Sequence, residues 1–182
     1  MYNHKLVMEM DIAEHVPACA FTGHREGKLP WKGDEGDPRC VALKRYIFDA
    51  AEAVYRDGAR HFLCGMATGC DMYFCEAVLE LREEHPELTI EAAIPYECQS
   101  EQWPAALRRR YDRLVVECDF QTVVSRAYTP DCMMRRNRYM VDAAEYLIAV
   151  YNGLPGGTQA TILYAMRSGR KIIQLPIGEK EL

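Results

Sequence analysis

The sequence predicts an α/β fold, a Rossmann-like three-layer αβα sandwich with a mostly parallel sheet of about six strands. Two observations carry that prediction. Short apolar runs alternate with longer stretches whose apolar positions recur every three or four residues, the pattern of strands joined by helical crossovers. The glycine-rich segments all fall where an apolar run ends and a helical pattern begins, at the carboxyl ends of the strands.

The elements follow in order. Residues 1–15 have no clear pattern and are expected to be a loose leader or an edge element of a single domain spanning 1–182. Residues 16–22, VPACAFT, read as the first strand, ending in Gly23-His24-Arg25. The following loop is rich in glycine, proline and charge, so it is expected to be exposed. Asp37-Pro38 reads as a cap and first helical residue, and the helix runs to Asp57 before Gly58. Strands are expected at 60–64, 88–94, 120–125, 146–151 and 171–175. Helices are expected at 71–84, at about 100–117 with Ser100 as cap, at 132–144 and at 158–168.

Composition narrows the function classes. Twenty-two basic against 27 acidic residues give a net charge of −5, which argues against a general electrostatic grip on nucleic acid. No apolar run approaches the roughly 18 residues that cross a membrane, and the acidic N-terminus is unlike a signal peptide, so a cytoplasmic location is expected. Eight scattered cysteines without a C-x-x-C pair point to reduced thiols packed as small apolar groups. Neither a metal nor a cofactor is expected from that spacing.

The site is expected where two glycine loops meet. Residues 145–158, EYLIAVYNGLPGGT, hand a buried strand to a helix through Gly153, Gly156 and Gly157. A loop of this kind lets backbone approach a ligand and leaves amides free at the helix start to hold an anion. Gly65, Ala67, Thr68 and Gly69 form the second such turn, suggesting a nucleotide-like ligand across the sheet end. Arg136 is read either as a bidentate phosphate clamp or as the ion-pair partner of Asp131 or Asp142. Asn137 is a cap or a hydrogen bonder to the loop, a base or a ribose. Asp71 is a dipole-friendly cap or a ribose contact. Thr68 and Thr158 are caps that also suit phosphate. His24 and Arg25 can reach the same crevice. Trp31 and Tyr96 read as core or rim packing or as stacking platforms for a base, and Glu101 and Trp103, after the third-strand loop, as residues able to reach the pocket. Arg108 to Arg110 read as a solvated helix face pairing with Asp112 and Glu101.

Four segments taken in order, Thr22-Gly23-His24-Arg25, Gly65 to Asp71, Arg136-Asn137-Arg138 and Gly156-Gly157-Thr158, resemble the SLOG superfamily over about residues 17–176. Its members include the DNA-processing protein DprA and the Lonely Guy phosphoribohydrolases, and the resemblance is greatest to the YoqJ/YspA-like branch. It implies a Rossmann-like fold, a nucleotide-derived ligand such as a nucleoside phosphate or ADP-ribose-like molecule, and a homodimer. Lonely Guy enzymes carry P-G-G-x-G-T-x-x-E. Here the glutamate position falls on Leu163, or on Thr161 if Gly157-Thr158 is matched to the G-T pair. A carboxylate there would stabilise charge developing on the sugar, so the sequence favours a binding module or sensor over an N-glycosidase unless Asp71 or Glu76 substitutes. DprA-like single-stranded DNA binding is the remaining alternative, disfavoured by the acidic balance.

Overall fold

The computed structural model describes residues 16–177. The expected leader lies outside the described residues. Six parallel strands form one sheet: β1 (Ala18–Thr22), β2 (His61–Cys64), β3 (Thr89–Ile94), β4 (Phe120–Val123), β5 (Tyr146–Tyr151) and β6 (Lys171–Pro176). Five helices connect them: α1 (Pro38–Arg56), α2 (Cys70–Glu84), α3 (Ala105–Glu117), α4 (Cys132–Asp142) and α5 (Gly157–Arg167). The strand order β4-β3-β2-β1-β5-β6 reverses direction between β1 and β5. At such a reversal the flanking connections diverge to opposite faces and leave a crevice beyond the strand ends.

Strand period explains the two cores. In β1, Cys19 and Phe21 pack with residues of α1, α2 and α3 such as Ile47, Phe74 and Leu114. Ala18 and Ala20, pointing the other way, meet Met140 and Val141 of α4 and Ile162 of α5. Central strands are therefore buried on both faces and read as continuous apolar runs, whereas the edge strand β4 leaves Phe120 and Val123 exposed. Seven of the eight cysteines lie in this interior, Cys98 being the exposed one. Among the described residues, no helix is long and apolar enough to cross a membrane.

Both ends of the first helix hold as expected; β1, β4 and α4 are each two residues shorter than expected, and the largest shift is at the third helix. Asp37 caps α1 by accepting the Arg39 amide at 2.8 Å, with Pro38 as first helical residue. Gly58 follows the α1 cap residue, Asp57. The third helix begins at Ala105 rather than near Ser100, because Pro104 occupies its cap position and a residue before proline is disfavoured in helical geometry. Residues 97–103 instead form turns that set Trp103 edge-on against Tyr111.

One buried carboxylate makes the fold pH-sensitive. Glu91 on β3 is 7% exposed and bonds the Tyr139 hydroxyl at 2.6 Å and His61 Nε2 at 3.0 Å. Burial works against its charge, but bonds from His61, Tyr139 and Thr122 outweigh it and bring the pKa from 4.5 to about 2. A depressed carboxylate stabilises the fold above its unfolded pKa and loses that contribution as pH falls toward the folded value. Relative to Glu91→Gln, the wild type should therefore lose up to about 3 kcal/mol between pH 4.5 and 2. Chemical denaturation across that range checks it; parallel pH profiles for the two proteins would refute it.

Candidate functional site

The crevice at the β1–β5 reversal is a cleft of about 250 Å³. Its walls come from four places in the chain: Gly23, His24, Arg25 and Lys28 after β1, Ala67 and Asp71 around the start of α2, Met133 and Asn137 on α4, and Gly157 and Thr158 opening α5. The loops predicted to converge, separated by nearly the whole sheet in sequence, do line one hollow.

The β1 loop is held from below. Leu29 and Trp31 are buried, so Trp31 is a core anchor and not a stacking platform. Glu35 at the far end of the loop pairs with Arg110 and, at 2.5 Å, with Lys44. Arg110 also reaches Glu76 at 2.6 Å, which corrects two expectations. This member of the arginine triplet bridges α3 to α2 and the loop instead of pairing with Asp112 or Glu101, and Glu76 is committed to that network away from the cleft. Tyr96 packs edge-on against Tyr128 and does not line the hollow.

The β2 loop is locked by close contacts. Gly69 has φ +85°, and the Cys70 amide donates to the His24 carbonyl at 3.1 Å, so the start of α2 is stitched to the β1 loop. No side chain caps α2; Thr68 is buried beside the cap residue Gly69 and does not line the cleft. Asp71, 6% exposed, turns back to accept the Ala67 amide on Oδ2 at 3.1 Å. Burial raises its pKa and the Arg136 charge opposes that rise.

Arg136 departs most from its predicted role. It is 5% exposed and does not line the cleft. Its Nη1 donates to the carbonyl of Gly65 and, at 3.2 Å, to that of Ala93, and its Nε donates to Asn137 Oδ1 at 2.8 Å. It is neither a free phosphate clamp nor a partner of Asp131 or Asp142. The guanidinium fills the space beside Gly65, where an added Cβ would lie 2.4 Å from Nη1. Asn137 passes the connection on: its Nδ2 donates to Thr161 Oγ1 at 2.8 Å, and Thr161 donates to the Gly157 carbonyl at 2.8 Å. A chain of bonds thus ties the β2 loop to the first turn of α5. Gly65, Thr68, Gly69, Arg136 and Gly156 stand behind or beside the lining residues and shape them.

At the β5–α5 turn no side chain caps the helix, whose cap residue is Gly156. Thr158 therefore is not the cap; its hydroxyl, on a residue 8% exposed, has no hydrogen-bond partner among the described residues and lines the cleft. Lys28 Nζ lies 3.6 Å from where a Gly156 side chain would start, adding a cation to the positive end of the helix dipole. Arg25 donates from Nη2 to Met133 Sδ at 3.8 Å across the opening. His24 accepts the Asn152 amide on Nε2 at 3.4 Å, which leaves the hydrogen of the neutral ring on Nδ1. Burial and the nearby Lys28 charge lower its pKa, keeping it neutral. The cleft is thus polar in a directed sense, with Lys28 and the helix amides at the α5 end, the Asp71 carboxylate at the α2 end, and the Arg25 charge acting on that carboxylate.

Sequence reasoning missed four lining residues: Phe21 and Thr22 at the end of β1, Lys28 and Met133. The signal for Lys28 was present: Leu29-Pro30-Trp31, an apolar anchor inside a charged loop, folds the segment back over the sheet end.

Comparison with known proteins agrees with this architecture. The YspA SLOG family model matches residues 19–174. The SPbeta prophage-derived protein YoqJ of Bacillus subtilis is 30% identical over 145 residues, covering 72% of this chain and 85% of YoqJ. A UPF0398 protein of Bacillus pumilus is 28% identical over 136 residues, covering 73% and 72%. Among solved structures, DprA of Streptococcus pneumoniae superposes with a TM-score of 0.61 at 18% identity, over 91% of this chain and 52% of DprA, so this chain spans about half that protein. DprA of Helicobacter pylori, solved for its single-stranded DNA binding mode, gives 0.61 at 15% identity over 92% and 68%. At these identities the two structures show the shared fold.

Proposed function

This chain belongs to the YspA SLOG family, and from that premise we propose that it binds one phosphate-bearing, nucleotide-type ligand in the cleft at the β1–β5 reversal. One observation carries the reading: the uncapped first turn of α5, with the Thr158 hydroxyl unpartnered, faces the same small hollow as Lys28 and Asp71. Backbone amides at a helix start and an ammonium suit a phosphate. The volume, about 250 Å³, is just below the ~300 Å³ where ordinary ligand pockets begin, which suits one nucleotide unit or less.

Binding is favoured over hydrolysis of the Lonely Guy kind. Of the two positions matched to that family's glutamate, Leu163 is largely exposed and Thr161 is 1% exposed with its hydroxyl already donated to Gly157. Neither presents a carboxylate to a sugar. Single-stranded DNA binding is the second reading, supported by the fold shared with DprA and by Tyr128, exposed beside Tyr96 at the same end of the sheet. An extended strand needs a track of several cations, and the net charge of −5 speaks against it.

Thermal-shift titration tests the choice. Nucleoside monophosphates at about one hundred times Kd should stabilise the wild type by about 3 kcal/mol. Lys28→Ala should weaken binding roughly tenfold, and Gly157→Val, which adds bulk on the cleft wall, should abolish the shift. If no nucleoside phosphate stabilises the wild type at millimolar concentration while an oligodeoxynucleotide does, in a salt-dependent manner, the second reading replaces the first.

A further inference from the structure

The α5 end of the cleft accounts for a phosphate, but it leaves the opposite wall unexplained. Asp71 is 6% exposed and lines the hollow. Its carboxylate has one hydrogen bond among the described residues, the Ala67 amide on Oδ2, and Oδ1 receives no donor; the Cys64 thiol goes to the backbone carbonyl. A carboxylate removed from water with a single amide donor is costly to keep. Arg136 lowers that cost through its charge but gives its hydrogens to the carbonyls of Gly65 and Ala93 and to Asn137. Among the described residues no further group donates to the Asp71 carboxylate, so its open oxygen is left to water or to donors that arrive with a ligand.

The polarity of the cleft identifies those donors. A phosphate at Asp71 would place like charges together, so the anion belongs with Lys28, Thr158 and the α5 amides. The group meeting Asp71 is a hydrogen-bond donor close in the ligand to the phosphate, because both ends share about 250 Å³. In a nucleotide the sugar fits that description, since the ring hydroxyls lie between phosphate and base, and a base amino group is farther away. We propose, on the basis of the nucleotide-binding reading above, that Asp71 accepts the ribose hydroxyls of a 5′-phosphorylated ligand, so that the site selects ribose over 2-deoxyribose. A site with a buried acceptor rejects the analogue that lacks the donor, because the acceptor is then left unpaired.

Calorimetry with sugar pairs tests the proposal without requiring the base to be known. The probes are ribose 5-phosphate against 2-deoxyribose 5-phosphate, and AMP against 2′-deoxy-AMP, with inorganic phosphate as reference. Wild type should bind the ribose member of each pair roughly tenfold or more tighter. Asp71→Asn keeps a carbonyl for the Ala67 amide but turns an amino group toward the sugar, and should bring the pairs within about threefold of each other. Equal binding of ribose and deoxyribose forms by the wild type overturns the inference while leaving the nucleotide reading intact. Failure of every phosphate-bearing probe to bind the wild type removes both. Should Asp71→Asn not fold, the wild-type pairs alone decide.

Discussion

Arg136→Ala should lose about 3–5 kcal/mol of stability with no ligand present, a fall in Tm of about 10 °C. The sequence places this arginine at a helix start beside a glycine loop, where a phosphate clamp is the natural expectation, and a clamp would be silent until ligand is added. The structure gives the guanidinium three protein acceptors instead: the carbonyls of Gly65 and Ala93 and the side chain of Asn137. Truncation leaves those acceptors without donors inside the protein, opens a cavity beside Gly65 and strips Asp71 of the charge that opposes its burial. The last consequence makes the prediction specific. In the Arg136→Ala background, Asp71→Asn removes the uncompensated carboxylate and should recover part of the loss, a coupling that a double-mutant cycle reads directly. A thermal denaturation curve for Arg136→Ala superimposable on the wild type would show that the buried bonds carry no weight and would return the residue to ligand binding.

The contrast between Arg136 and its neighbours shows what the sequence could and could not reveal. Alternating apolar periods revealed the strands and helices because each period is set locally, by how successive side chains project from a strand or a helix. Convergence of the glycine loops was legible too, since all follow strand ends and a parallel sheet brings those ends to one side. The destination of a long side chain was not. Arg136 bonds a carbonyl 71 residues away, and Arg110 bonds Glu35 across 75 residues; nothing in the local pattern separates these from solvated arginines. Nor does sequence reveal which wall a loop residue faces, and Trp31 went inward because the apolar surface beneath the β1 loop needs cover. Thr161 is the instructive middle case. Its position relative to the glycines was known, but its role as the link between Asn137 and Gly157 depends on α4 and α5 lying side by side.

Glycines divide in the same way, and Gly69→Ala should be the most damaging of the single-methyl changes in these loops. A Cβ at Gly69 would stand 2.5 Å from the Glu26 amide nitrogen, 2.9 Å from the Arg25 carbonyl carbon and 2.9 Å from the His24 carbonyl oxygen. All three are backbone atoms, so relief requires moving the β1 loop itself. The backbone at Gly69, φ +85° and ψ −125°, adds a strain of at least about 1–2 kcal/mol for any residue with a side chain. Together these should cost about 3 kcal/mol or more and displace His24, Arg25 and Lys28 from the cleft, so that both Tm and ligand binding fall. Gly157→Ala is the control. Nothing lies within 4 Å of a Cβ there and φ is outside the left-handed region, so its stability should stay within the ~0.5 kcal/mol typical of surface changes. Two glycines that look alike in the sequence thus serve opposite ends: Gly69 lets two loops touch, and Gly157 keeps the wall of the hollow open. Equal stability of the two variants would mean that the β1 and β2 loops are not in contact as described, and with that contact would go the reason Arg25 lines the cleft and Lys28 reaches the start of α5.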